Sequence, residues 1–332
     1  MALISDSMNV YGCLQSTNDR TDRTKEIEKA LSETGACRLG SGVFYVKNIV
    51  MPEQSILSGN GIATKLVLLD DPEECFVVKM ASYCTVKDLH LIGNEEGIIP
   101  EEQVGNRHGI VFEGSKEKPG TEGPLYGTIE NCYVRSFTGG AITCRNSGYP
   151  VSSSMNVSDC WLINCGVGIN IPYWSEYHKF TNVSATKCWY GCINNGGNNM
   201  FANCNFSENQ MGFLMDNSEK QSINETHGSA IGCTFNHSGQ NQGTGIRILG
   251  TRNGYVFSGC QVFYSKIELD NVKGVIFDAF NFGRNEVIDV KGGALTMFTH
   301  CMFGTQPQIS VVDNEHTKFI NCYTRGGEPV GM

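Results

Sequence analysis

A short phrase that recurs in nine copies constrains this chain more than any other feature. It runs Ile129-Glu130-Asn131-Cys132-Tyr133-Val134, then Val157-Ser158-Asp159-Cys160-Trp161-Leu162. It returns as Phe180-Thr181-Asn182-Val183, as Phe201-Ala202-Asn203-Cys204-Asn205-Phe206 and as Ile231-Gly232-Cys233-Thr234-Phe235. Four more copies begin at Phe257, Phe277, Phe298 and Phe319, after steps of 20, 21 and 21 residues. Self-similarity at such a period means stacked supersecondary units, each too small to bury a core alone.

The kind of solenoid follows from what each copy contains. A leucine-rich repeat needs regularly spaced Leu and an Asn ladder, and these are absent. Each copy is instead a short alternating strand, a turn, a second strand such as Gly212-Phe213-Leu214-Met215, and a Gly/Asn turn. Three short strands and three turns fit in about 21 residues, so successive coils stack as a parallel ladder about 4.8 Å apart. The expected fold is all-β, a right-handed parallel β-helix over residues 36–325, with 1–35 as an N-terminal segment and capping helix and 326–332 as a tail. Small Cys and large Phe should fill the lumen as two columns.

Composition agrees. The 332 residues include 39 Gly and 9 Pro, and only 18% are charged. The 15 Cys recur at one position of the repeat, so they read as buried free thiols, Cys132, Cys160, Cys204, Cys233, Cys260, Cys301 and Cys322 among them. Their spacing shows no C-x-x-C pair and no His in register, so neither a metal site nor a cofactor is expected. A net charge of −9 argues against nucleic acid as partner. No apolar run could span a bilayer, and no secretion signal opens the chain. The Asn-x-Ser/Thr sites at Asn156, Asn182, Asn205, Asn224 and Asn236 therefore read as turn and ladder residues.

The first hundred residues carry a different signal. Asp22-Arg23-Thr24-Lys25-Glu26-Ile27-Glu28-Lys29-Ala30-Leu31 reads as a capped helix that ends at Gly35. Leu39-Gly40-Ser41-Gly42-Val43-Phe44-Tyr45-Val46 and Ile56-Leu57-Ser58-Gly59-Asn60-Gly61-Ile62-Ala63-Thr64-Lys65-Leu66 follow. These segments resemble the start of the pectate-lyase-superfamily β-helix, found in phage tailspikes and in many polysaccharide lyases and glycosidases. Gly40 stands where that family usually has Pro. The resemblance spans roughly residues 10–325 and implies the fold; this superfamily hosts many chemistries. The Gly-His-Gly and paired Asp motifs of polygalacturonases are missing, as is the Asp cluster with Arg of calcium-dependent pectate lyases.

Loop insertions at equivalent turns of a solenoid project from one face, and binding sites form among them. Three enlarged turns stand out: Arg145–Pro150, Pro172-Tyr173-Trp174-Ser175-Glu176-Tyr177-His178, and Asp216 onward to Glu225-Thr226-His227. Aromatic rings interleaved with a carboxylate and an imidazole suit a sugar. The expected catalytic residues are Glu176 and Asp216, with Glu225 as an alternate. Tyr173, Trp174, Tyr177, His178, Glu219 and His227 are the expected substrate contacts. Two coils separate Glu176 from Asp216, about 9–10 Å at the backbone, against about 5–9.5 Å between the carboxyls of glycosidases. A second edge with Trp189, Tyr190, Glu208, Asn209 and His237 ranks lower because its turns are compact.

Two function classes remain. One is a tailspike-like depolymerase, a glycoside hydrolase or lyase acting on a bacterial surface polysaccharide. The other is a spike module that binds glycan or receptor without cutting it. A third reading is a bacterial intracellular sugar enzyme of the same fold. The expected setting is a phage tail or a bacterial cytoplasm. A homotrimer is expected because tailspike relatives associate around a three-fold axis, and Tyr173, Trp174 and Trp189 exceed what the lumen can hold.

Overall fold

The recurring phrase is a corner. In the computed structural model the residue before each phrase Cys, or before its replacement, has a positive φ. Asn131 is at 50°, Asp159 at 54°, Asn182 at 56°, Asn203 at 54° and Asn321 at 52°, with Gly232 and Gly259 at 64° and 60°. Asn, Asp and Gly tolerate the left-handed region better than other residues, which is why they hold this place. The chain turns there and sends the next side chain inward, so the phrase Cys lie at corners rather than within strands. The structure describes residues 13–16, 19–69, 75–113, 125–145, 153–173, 175–218, 226–236, 243–251, 253–283, 287–312 and 316–331. All strand ladders among the described strands are parallel, and the fold is a right-handed parallel β-helix. The chain divides into two units, residues 1–166 and 167–332.

In the first unit each full coil has three strands. The first position stacks Cys13–Leu14, Ala36–Leu39, Ile56–Ser58, Thr85–Lys87, Thr128–Glu130 and Asn156–Ser158. The second stacks Gly42–Val46, Thr64–Leu68, His90–Ile92, Tyr133–Arg135 and Trp161–Ile163. The third stacks Ile49–Val50, Cys75–Met80, Arg107–Glu113 and Gly140–Arg145. Leu57, Val86, Ile129 and Val157 are all buried and form an aliphatic inner column. The phrase therefore begins upstream of its first visible copy: Val86-Lys87-Asp88-Leu89 is an earlier coil, with Asp88 at φ 56°.

The helix runs Thr24–Thr34 and buries Ile27 and Leu31. Asp22 Oδ1 accepts the Thr24 N–H at 2.9 Å, and the Gly35 N–H closes the other end on Leu31 O at 2.9 Å. Glu28 accepts the N–H of Val50 at 3.0 Å, and Thr24 bonds both backbone groups of Lys47. The helix thus satisfies backbone groups at the start of the solenoid that would otherwise be an open edge.

In the second unit the first position stacks Lys179–Thr181, Asn199–Ala202, Gly228–Ile231, Tyr255–Ser258, Val275–Asp278, Met297–Thr299 and Lys318–Ile320. The third stacks Val167–Ile171, Tyr190–Asn194, Met211–Asp216, Thr244–Leu249, Lys266–Asp270, Val287–Lys291 and Gln308–Val312. Here the inner column is aromatic. Phe257, Phe277, Phe298 and Phe319 stack face to face at 5.0, 4.9 and 4.7 Å. Ala230 interrupts the column, and Phe213 and Tyr255 fill the space from other strands. Fourteen of the fifteen Cys are buried and all are free; Cys13 is exposed. The Sγ of Cys204 lies 3.5 Å from both Ala202 O and Phe180 O, and Cys233, Cys301 and Cys322 repeat that arrangement. Hydrogen bonding between stacked thiols, followed by burial, holds Cys204, Cys260 and Cys301 above the usual thiol range, so they stay protonated.

Candidate functional site

The turn after the strand Val167–Ile171 opens with Pro172, which has no N–H to continue the ladder. The chain then folds back, and Ser175 N–H reaches Pro172 O at 3.3 Å. Ser175 and His178 are fully buried, with Ser175 Oγ and His178 Nε2 at 2.7 Å. Asn199, also buried, ties the turn to the next coil. Its Oδ1 accepts the His178 N–H at 2.9 Å, and its Nδ2 lies 3.2 Å from Ser175 O and 2.9 Å from Asn194 Oδ1. Burial brings the imidazole down to about 3, so His178 is neutral. A hydroxyl beside a neutral imidazole is the pairing of nucleophile and base, but with both groups buried this pair is placed to hold the corner.

Glu176 and Asp216 flank the next corner, Asn195-Gly196-Gly197-Asn198. The half-buried Glu176 accepts a hydrogen bond from Asn198 Nδ2 at 3.3 Å. Asp216 is the exposed last residue of its strand. Its N–H donates to Asn195 Oδ1 at 2.8 Å, and its Oδ1 accepts from Ser218 Oγ at 2.6 Å and Ser218 N–H at 3.1 Å. The turn thus holds the Glu176 carboxylate through Asn198 and the Asp216 backbone N–H through Asn195, while Ser218 holds the Asp216 carboxylate. The glycines permit this nesting. A Cβ on Gly196 would sit 1.9 Å from Ser175 O, and one on Gly197 would sit 2.6 Å from the His227 ring. His227 therefore lies against the same turn.

The other expected contacts divide. Tyr177 is 55% exposed at φ 62°, whereas Tyr173 is nearly buried. Trp174, Glu219 and Glu225 lie outside the described residues, as does His237 of the second edge. On that edge Asn209 is buried and bonds the Cys188 N–H and Ala185 O, both at 2.8 Å; Glu208 is exposed and Trp189 half-buried. Among the described residues no group of three His, Cys, Asp or Glu could hold a metal ion.

Some exposed aromatics escape a reading based on loop length. Tyr83 and Tyr126 are 52% and 54% exposed and stack on each other, and Trp161 is 47% exposed on the second-position sheet. A signal exists for the first two: Tyr83-Cys84-Thr85-Val86 and Tyr126-Gly127-Thr128-Ile129 share a tyrosine two residues before the phrase's first strand.

No protein-family model matches the chain, and no curated protein matches it. Solved structures do. The A-module of the mannuronan C-5 epimerase AlgE6 from Azotobacter vinelandii superposes with a TM-score of 0.65 at 13% identity, covering 95% of this chain and 97% of that one. The catalytic domain of a GH87 alpha-1,3-glucanase in complex with nigerose gives 0.62 at 12% identity, over 95% and 69%. The ORF18 protein of Geobacillus virus E2 gives 0.59 at 13% identity, over 98% of this chain and 64% of its own length. The chain therefore spans less than two thirds of that viral protein. These likenesses establish the parallel β-helix fold.

Proposed function

We propose that this protein is a carbohydrate-active β-helix, a tailspike-like depolymerase of a bacterial surface polysaccharide, with Glu176 and Asp216 as its acid and base. The observation that carries this reading is that the single turn Asn195–Asn198 holds both residues, Glu176 by its carboxylate and Asp216 by its backbone N–H. Inverting hydrolysis, whose carboxyls stand about 6.5–9.5 Å apart with a water between them, is the reaction proposed for the pair. One group protonates the glycosidic oxygen while the other takes a proton from the attacking water; the C–O bond to the leaving sugar breaks as the water's oxygen bonds the anomeric carbon. Tyr177 and His227 stand beside the turn as sugar contacts, and Trp174, Glu219 and Glu225 remain part of the proposed wall. Fold neighbours named for work on mannuronan and alpha-1,3-glucan support the substrate class. The proposal includes a homotrimer in a phage tail.

Binding without cleavage is the second reading. The anchoring of Asp216 by Ser218 and the burial of His178 favour it, since both groups are then engaged in holding loops. Incubation with capsular polysaccharide separates the two. New reducing ends, or absorbance from unsaturated uronate, support the enzyme; retention of the glycan with neither product supports the binding module.

A further inference from the structure

We propose a second glycan-binding subsite on the first unit, built on Tyr83 and Tyr126 at the corner between third and first strands. Both have positive φ, 58° and 54°, and their rings lie 5.5 Å apart at 27°. The backbone of this corner is stacked in register: Gln54 N–H bonds Ser82 O at 3.0 Å, Tyr83 N–H bonds Leu125 O at 2.8 Å, and Tyr126 N–H bonds Ser153 O at 3.2 Å. Gln54, Tyr83, Tyr126 and Ser154 thus form one column, every member left-handed.

The turn itself does not call for tyrosine. Asn and Gly suit this backbone best, and in the second unit Tyr177 and Asn198 occupy the equivalent corner place. A bulky ring here is both conformationally unfavourable and half in water, which neither packing nor turn formation explains. Among the described residues, the next rung of this column is Ser154, whose side chain is short. A pyranose ring is about the size to occupy that step and continue the stack, its C–H face against the aromatic ring.

The surroundings select the ligand. Two residues on, the outward row of the first-position ladder is Thr85, Thr128 and Asn156, aligned rung on rung. Neutral hydroxyls and an amide beside an aromatic step suit the hydroxyls of an uncharged glycan. The class of ligand rests on the carbohydrate reading above; the place does not involve Glu176 or Asp216.

Affinity electrophoresis through gels containing laminarin or dextran, with alginate as an acidic control, tests the subsite. The neutral glucans should retard the wild type, and Tyr126→Ala and Tyr83→Ala should each weaken retention about tenfold. Tyr126→Trp should retain it. Tyr126→Asn, which suits the left-handed corner, should lose retention while melting no lower than wild type. Light scattering on each variant should show unchanged mass. Absence of retardation by both neutral glucans, or undiminished retention in the alanine variants, would overturn the proposal. So would dissociation of an oligomer by Tyr126→Ala, which would make the pair a protein contact. Loss of retention only in Glu176→Gln or Asp216→Asn would remove this subsite and leave the carbohydrate reading standing.

Discussion

Buried polar groups in this lumen are mostly tied into the corners, and the exceptions make sharp tests. The Tyr255 hydroxyl is buried with no hydrogen-bond partner among the described residues. An unpaired buried hydroxyl costs about 1–3 kcal/mol in lost solvation. Tyr255→Phe keeps the ring against Phe213 and Phe257 and removes that cost, so its denaturation midpoint should match or exceed wild type. A clear loss of stability would mean that the hydroxyl is paired. The buried imidazoles give a pH test. Burial holds His108 and His178 at about 3, below the 6.5 of an exposed histidine. The unfolded chain therefore binds protons below pH 6.5 that the folded chain refuses. Their contribution is complete above that pH and falls as pH drops from about 6.5 toward 3. Each site approaches about 1.4 kcal/mol lost per pH unit. Denaturant titrations at pH 7.5, 6.5 and 5.5 should show stability falling over the lower interval and nearly flat over the upper; equal stability at all three would contradict the burial of these rings.

At the scale of the element, the corner explains the repeat. Asn, Asp or Gly before the phrase Cys is a left-handed turn, and the rungs that depart from this rule should be weak. Ala279 is the plainest departure, at φ 48° and exposed. The left-handed region costs an ordinary L-residue about 1–2 kcal/mol. Ala279→Asn should therefore raise the melting temperature, and no change would mean that the corner relaxes without strain. This scale also shows what the sequence made legible. Nine copies of a phrase with Phe and Cys at fixed places specify the coil and its inward residues, because stacking forces identical positions into identical surroundings. The earlier coil at Val86–Leu89 is harder to see because Leu89 stands where later coils carry Cys. The role of Asn131 and its equivalents as left-handed residues needed the backbone angles.

At the scale of the whole molecule, the functional site was less legible than the fold. Corners repeat, but the turns after third-position strands differ from coil to coil, so no periodicity reports where their side chains point. His178 and Tyr173 look like ligand contacts in a list of residues, yet both are buried, His178 against Ser175. Asn195 and Asn198, which hold the Asp216 backbone N–H and the Glu176 carboxylate, look like ordinary turn residues. The aromatic surplus behind the homotrimer changes place too: Tyr173 is nearly buried, while Trp161, Tyr83 and Tyr126 are exposed. Light scattering on the intact protein should give about three times the chain mass of 36.4 kDa; a value equal to one chain would remove the trimer.

The most direct measurement of the central claim is turnover by the wild type and by Glu176→Gln and Asp216→Asn on a capsular polysaccharide the wild type depolymerises. Loss of an acid or base group typically costs about 10²–10⁴-fold in rate. Both amide variants should lose turnover on that scale while still retaining the glycan in an affinity gel. Near-wild-type release of reducing ends by both variants would contradict the assignment of this turn as the catalytic site.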